Sequence, residues 1–150
     1  MIIGYTTGVF DLFHVGHLNI LRRSKEKCDY LIVGVSTDEL VSEYKHKIPL
    51  IPFEERKVIV EAIRYVDKVV PQISMDKLAA WQQLNFDIMF HGDDWKGTYL
   101  YKNYEEQLAN VGVKLIYLPH TKNISSTIIF DRLYDLWLAK GRKNDEMAHA

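Results

Sequence analysis

The chain has 150 residues, 47% of them hydrophobic and 26% charged, with a formal net charge of −1: the make-up of one domain large enough to bury a core. It has no basic run or stripe, which argues against extended nucleic-acid binding but leaves room for a small anionic ligand met by a few placed cations. The single cysteine, Cys28, excludes an internal disulfide and a cysteine-built zinc site; no apolar run reaches transmembrane length, and the opening Met-Ile-Ile-Gly lacks a charged region and cleavage site, so a cytoplasmic protein acting away from membranes is expected.

Strand and helix patterns alternate along the chain. Met1 to Tyr5 reads as a short buried strand. A turn around Gly8 follows, then a helix beginning near Val15 with Leu18, Ile20 and Leu21 on its apolar face. Cys28 falls where this helix meets the next strand and reads as a small apolar filler. Tyr30 to Val35 is the second strand; Ser36-Thr37-Asp38 caps at most a short helical turn, and the loop runs on to Pro49. A helix is predicted over Phe53 to Tyr65, and a third strand over Lys68 to Val70, stopped by Pro71. Ser74 to Leu84 is helical, Asp87 to Phe90 is the fourth strand, and HGDDWKGT is loop. Tyr101 to Ala109 is helical and ends before Gly112; Lys114 to Leu118 is the fifth strand. After the loop HTKNISS, Ser125 or Ser126 caps a last helix that ends at Gly141. The domain is therefore 1–140, with a frayed polar tail over 141–150.

Five strands alternating with helices predict an α/β fold with a parallel sheet and helices on both faces. Ligands of such sheets bind beyond the carboxyl ends of the strands. That edge collects the turn Gly8–His17, the loop Ser36–Lys47, HGDDW and HTKNISS. In the first of these, His14 and His17 flank Gly16 at a helix start, where free backbone N–H groups and the helix dipole favour an anion. Two imidazoles three residues apart share a face and can donate to phosphoryl oxygens whose charge grows during a displacement. Gly16 keeps a side chain away from the point where a ligand would approach the backbone. Each of these residues has a plainer role open to it: the histidines and Asp11 as caps, Trp95 as a core aromatic, Ser125 as an N-cap, Lys45 and Lys47 as solvated loop charges, Arg64 and Asp67 as a surface ion pair.

GVFDLFHVGH, DYLIVGVSTDE, ERK at Glu55–Lys57, IRYVDKVVP at Ile63–Pro71, GDDWKG at Gly92–Gly97 and ISST at Ile124–Thr127 together resemble the cytidylyltransferase branch of the H-x-G-H nucleotidyltransferase superfamily, over Ile3 to about Leu136. The resemblance implies a Rossmann-like three-layer fold with a five-stranded parallel sheet. It implies a reaction in which CTP and a small phosphorylated alcohol, glycerol 3-phosphate or a similar polyol phosphate, give a CDP-alcohol and pyrophosphate, with Mg2+ carried by the nucleotide phosphates rather than by protein side chains. A homodimer is implied, with IRYVDKVV near its interface. By the same resemblance His14 and His17 stabilise the transition state, and Lys47 bridges the two phosphates, with Lys45 the competing lysine. Gly8, Val9, Phe10, Asp11 and Gly16 form the phosphate turn, and Arg64 lies near the substrate phosphates. Asp94, Trp95, His120, Thr121, Ser125, Ser126 and Thr127 complete the nucleotide edge.

The chain departs from that pattern twice. His120, mostly neutral at pH 7 and without a guanidinium fork, stands where the family usually has an arginine, with Lys122 a candidate to supply the charge. Several residues are inserted around Tyr99–Tyr104, near the expected acceptor pocket, which bears on whether glycerol phosphate is the acceptor. The alternatives are an adenylyltransferase acting on a sugar phosphate and a non-catalytic nucleotide-binding module. A metal centre on His14 and His17 fits least, since no third ligand is evident nearby.

Overall fold

A parallel strand covered on both faces reads as a continuous apolar run, and Tyr30–Ser36 (β2) is buried from Leu31 to Ser36. In the structure, a computed structural model describing residues 1–149 and the side chains of 1–141, β2 pairs in parallel with Ile3–Gly8 (β1) and Lys68–Gln72 (β3). β1 pairs in turn with Ile88–Gly92 (β4), and β4 with Lys114–Leu118 (β5), giving the order β3-β2-β1-β4-β5. Helices are α1 (Val15–Lys25), α2 (Asp38–Lys45), α3 (Phe53–Glu61), α4 (Lys77–Leu84), α5 (Tyr99–Asn110) and α6 (Ser126–His149).

Side chains alternate across the sheet with period 2. Leu31, Val33 and Val35 point to one face, where they pack with Phe10, Leu21, Val60 and Phe90 under α1 and α3. Ile32 points to the other, with Tyr5, Met89, Phe86 and Leu108 under α4 and α5. This is the expected three-layer architecture. The order reverses between β1 and β4, bridged by Thr6 Oγ1 donating to the Phe90 carbonyl at 3.0 Å. A cleft opens at the carboxyl ends of these two strands, the switch point of the sheet.

Several expected boundaries move. The first strand runs from Ile3 to Gly8 rather than Met1 to Tyr5, because its ladder to β2 pairs Ile3 with Tyr30 and Gly8 with Val35. The turn expected after Ser36 is the two-turn helix α2, capped by Thr37 Oγ1, which accepts from Leu40 N at 3.2 Å. The helix over Phe53 stops at Glu61, and α4 starts at Lys77 behind the cap Asp76. Pro71 does not stop β3: it lies opposite Val35 on an edge strand, one side of which has no ladder to complete. The last helix continues through Gly141 to His149; the side chains of the expected tail lie outside the described residues. No helix among the described residues is long and apolar enough to cross a membrane.

Candidate active site

The cleft measures about 490 Å3 and is walled by the end of β1 and its turn, the start of α1, the end of α2 with its following loop, the end of β4, and the start of α6. His14 is the N-cap of α1. Its Nδ1 accepts from Gly16 N at 3.0 Å, and its own backbone N–H donates to His17 Nδ1 at 3.2 Å. The result is a capping box made of two imidazoles. With both Nδ1 atoms accepting, each neutral ring carries its proton on Nε2. The rings stack with centroids 3.8 Å apart, and His17 also leans on Phe10 and Phe13. Burial first, and His14 second, push His17 down to about 3; burial lowers His14 as well. At neutral pH the cleft therefore holds two uncharged rings, each with one N–H to offer an oxyanion. Capping occupies Nδ1 of both rings and leaves both Nε2 atoms outside the capping box.

Gly16 serves this pair directly. A Cβ there would stand 2.7 Å from His14 Cε1 and 2.9 Å from its Nδ1. The glycine is needed by the His14 ring, not only by a ligand. The preceding turn is strained: Phe10 and Leu12, on either side of Asp11, have φ of 56° and 50°, a region unfavourable to bulky side chains. The Phe10 ring is buried in the core beneath, and that packing holds the turn in place.

Both Asp11 carboxylate oxygens accept backbone N–H groups across the cleft, from Ile51 and Leu50 at 2.9 Å each. The Asp11 carbonyl accepts from Ser126 Oγ. Asp11 thus positions the turn, the loop carrying Lys47, and the start of α6. Lys45 and Lys47 both line the cleft, because His46 turns the chain back in the left-handed conformation at the end of α2. Burial, and then the charge of Lys47, hold Lys45 below the ordinary amine range. Arg56 anchors the same region from beneath. Its side chain is fully buried and donates to the carbonyls of Val9 (2.6 Å), Ser36 (2.8 Å) and Ile51 (2.8 Å), and to Asp38 (2.6 Å). The ERK match covered it, but its anchoring role has no local signal in sequence, since its partners lie 5 to 47 residues away.

On the opposite wall, His91, Gly92, Asp94, His120, Thr121, Ser125, Ser126 and Thr127 line the cleft. Ser125 Oγ accepts from Ile128 N at 3.0 Å, so it caps α6 while the following residues face the site. Thr121 Oγ1 accepts from Asn19 at 2.9 Å. His120 Nδ1 lies 3.0 Å from Asp93 and 3.6 Å from Asp94. The hydrogen bond to Asp93, and then the charges of Asp93 and Asp94, raise His120 above the ordinary imidazole value. This alters the expectation of a mostly neutral ring at pH 7. Asp93, Asp94 and His120 offer ligand atoms all within 4.8 Å of one another, a grouping the sequence reading did not anticipate.

Two expected site residues stand apart. Trp95 is 57% exposed and belongs neither to the core nor to the cleft wall. Arg64 is exposed in the segment entering β3, at the amino ends of the strands, away from the cleft. Its expected ion-pair partner, Asp67, binds Lys25 at 2.6 Å instead, and accepts from Leu31 N.

Residues 5–132 match the family model Cytidylyltransferase-like. The chain is 38% identical over 130 residues to glycerol-3-phosphate cytidylyltransferase of Staphylococcus aureus (strain NCTC 8325 / PS 47), covering 86% of this chain and 92% of that one. It is 43% identical over 126 residues to the protein of the same name from Bacillus spizizenii, covering 83% and 91%. Among solved structures, the lipopolysaccharide core biosynthesis protein of Thermoplasma volcanium GSS1 superposes with a TM-score of 0.69 at 26% identity, over 83% of this chain and 99% of that one.

Proposed function

Since the chain belongs to the cytidylyltransferase-like family of nucleotidyltransferases, we propose that it joins CTP to glycerol 3-phosphate or a similar polyol phosphate, releasing pyrophosphate. The observation that carries this reading is the neutral His14–His17 pair at the start of α1, facing the same cleft as Lys45 and Lys47. An oxygen of the acceptor phosphate attacks the α-phosphorus of CTP. The new P–O bond forms as the bond from that phosphorus to the oxygen bridging the β-phosphorus breaks, and the electron pair leaves with pyrophosphate. Charge grows on the α-phosphoryl oxygens, and the two Nε2–H groups are the donors for it. Lys45 and Lys47 neutralise the repulsion between acceptor and nucleotide phosphates. The free N–H groups at the starts of α1 and α6 hold the triphosphate. Attack is direct, and no side chain of the cleft is assigned as a nucleophile.

The family suggests a divalent metal with the nucleotide. The carboxylates of Asp93 and Asp94 are hard oxygen donors of the kind that shares Mg2+ with nucleotide phosphates; Asp11 does not fit, since its oxygens are engaged by Leu50 and Ile51. When bound, the ion offsets charge on the departing pyrophosphate. Trp95 and Arg64 stand outside the cleft, so direct contact with substrate is not proposed for them. A homodimer is supported by a stripe on α6, where Phe130, Leu133, Tyr134 and Trp137, at helical spacing, are each about half exposed or more. A matrix of nucleotides against phospho-alcohols, read as pyrophosphate release, tests the reading. CTP with a polyol phosphate and Mg2+ is expected to be the productive combination; ATP performing as well as CTP across acceptors would favour the adenylyl alternative, and tight binding without turnover the binding module.

A further inference from the structure

The turn that follows β4 carries Asp93 and Asp94 into the site, yet the single helical turn Asp93–Trp95 that it opens has no side-chain cap. Its tie across the cleft mouth, His120 Nδ1 to Asp93 at 3.0 Å, joins side chains 61% and 38% exposed, where such contacts contribute little. The buried tie comes from the residue before the turn. His91 lines the cleft. Its Nδ1 lies 3.0 Å from the Gly92 carbonyl, and its Nε2 lies 2.9 Å from the Tyr101 hydroxyl. A carbonyl can only accept, so Nδ1 carries the proton. Burial holds His91 below the ordinary imidazole value and the ring neutral, so Nε2 accepts and the Tyr101 hydroxyl donates. Burial pushes that phenol up to about 12, which keeps its proton in place. His91 is therefore the opposite tautomer to His14 and His17.

Tyr101 is placed firmly enough to impose this. It is only 6% exposed. Its ring stands edge-on to His91 with centroids 4.8 Å apart, meets Tyr104 at 5.3 Å, and has the Lys77 ammonium 5.7 Å from its centre. Its backbone N–H is capped by Thr98 Oγ1, which itself donates to the Trp95 carbonyl at 2.7 Å and so closes the far end of the same turn. Tyr101 also falls in the Tyr99–Tyr104 segment by which this chain departs from its family pattern. Removing the hydroxyl would leave the Nε2 lone pair buried and unpaired, a larger loss than the net worth of an ordinary hydrogen bond. The ring can relieve that loss only by turning toward the water of the cleft, and in doing so it releases the Gly92 carbonyl. We propose that Tyr101 is a positioning residue of the nucleotide site: its hydroxyl holds His91 in the Nδ1–H tautomer, and His91 holds the Gly92 carbonyl, so that the turn bearing Asp93 and Asp94 is fixed before the triphosphate arrives. A turn already ordered takes nothing from the binding free energy for its ordering. The inference rests on the transferase reading above and deepens it.

The test compares the native chain, Tyr101→Phe, His91→Met and the double variant, with nitrogen-15 in the histidine rings. Each is measured by nitrogen NMR, by calorimetric binding of CTP with Mg2+, and by pyrophosphate release with glycerol 3-phosphate. The His91 resonances are those absent from His91→Met. In the native chain they should show one tautomer, protonated at Nδ1, and in Tyr101→Phe a mixture of the two. Tyr101→Phe should raise Kd and KM for CTP about tenfold, the worth of a buried hydrogen bond whose partner is left unpaired. The kcat and the KM for glycerol 3-phosphate should change much less. Because the two side chains act as one unit, the double variant should bind CTP no more weakly than either single variant. A merely structural tyrosine would lower the melting temperature and leave Kd for CTP as it was, and that result overturns the proposal. So does a native His91 protonated at Nε2, and so do losses that simply add in the double variant. If Tyr101→Phe does not fold, the native tautomer and the CTP affinity of His91→Met decide in the same way. A native chain that binds CTP but releases no pyrophosphate contradicts the transferase reading, while the affinity ratio still decides the role of Tyr101; one that binds no CTP overturns both.

Discussion

His14 and His17 each spend Nδ1 on a backbone N–H, and this fixes what they can do. Protonating either Nδ1 would break the capping box, and burial already opposes the charged form. This geometry suits the pair to the proposed role of neutral donors rather than to that of an acid and a base, and the proposed reaction needs no proton from them. Changing either to alanine is expected to lower kcat by on the order of a hundredfold or more, with KM for CTP changed much less, because the contact strengthens only in the transition state. The His17 ring should not titrate by proton NMR between about pH 4.5 and 8, although an ordinary imidazole changes charge near ~6.5. For stability the sign follows: a histidine whose pKa falls on folding lets the unfolded chain bind the extra proton. Its contribution therefore favours folding less as the pH drops from the ordinary imidazole value toward the lowered one. A His17 resonance that titrates near neutrality, or alanine variants with normal turnover, would remove the donor role.

At the scale of elements, the cleft is assembled by side chains that reach between loops far apart in sequence. Arg56 on α3 ties the ends of β1 and β2 to the start of α2, and Asp11 ties the first turn to the Lys47 loop. Replacing Arg56 by methionine leaves three carbonyls and the Asp38 carboxylate without their donor. The expected loss is on the order of 3 kcal/mol in urea unfolding, typical of a broken buried ion pair, together with a raised KM for CTP as the Val9 turn loosens. Unchanged stability and KM would show that packing alone holds these loops. Such long-range ties were not legible in the sequence. The strand–turn–helix at residues 3–25 was legible, because apolar periodicity, the glycine turn and the two histidines are all local signals. So was β5, whose bounds match. The extent of α2 was missed because its polar composition, with Pro49 close behind, hides a helix that rests chiefly on the Thr37 cap and two buried residues, Leu40 and Val41. Arg64 was placed by resemblance alone, and the chain carries it to the other edge of the sheet.

Across the whole molecule, the topology explains why so many unusual segments converge. A sheet ordered β3-β2-β1-β4-β5 reverses direction between β1 and β4, so the turn after β1, the helix start of α1, and the loops after β4 and β5 open on one crevice. Alternation of strands and helices was enough to anticipate this edge and most of its residues. It could not show which of Lys45 and Lys47 enters the cleft, and the structure admits both; nor could it bring Lys77 to the tyrosines of α5. The central claim is transfer of a cytidylyl group from CTP to a phosphate oxygen of a phosphorylated polyol, with pyrophosphate as the group that leaves. The most direct test is a reaction of CTP with glycerol 3-phosphate carrying oxygen-18 in its phosphate, followed by phosphorus NMR and mass analysis of both products. The account predicts a CDP-alcohol that retains all the label, with one labelled oxygen now bridging the two phosphorus atoms, and unlabelled pyrophosphate. Label in the pyrophosphate, or release of CMP in place of pyrophosphate, would contradict it.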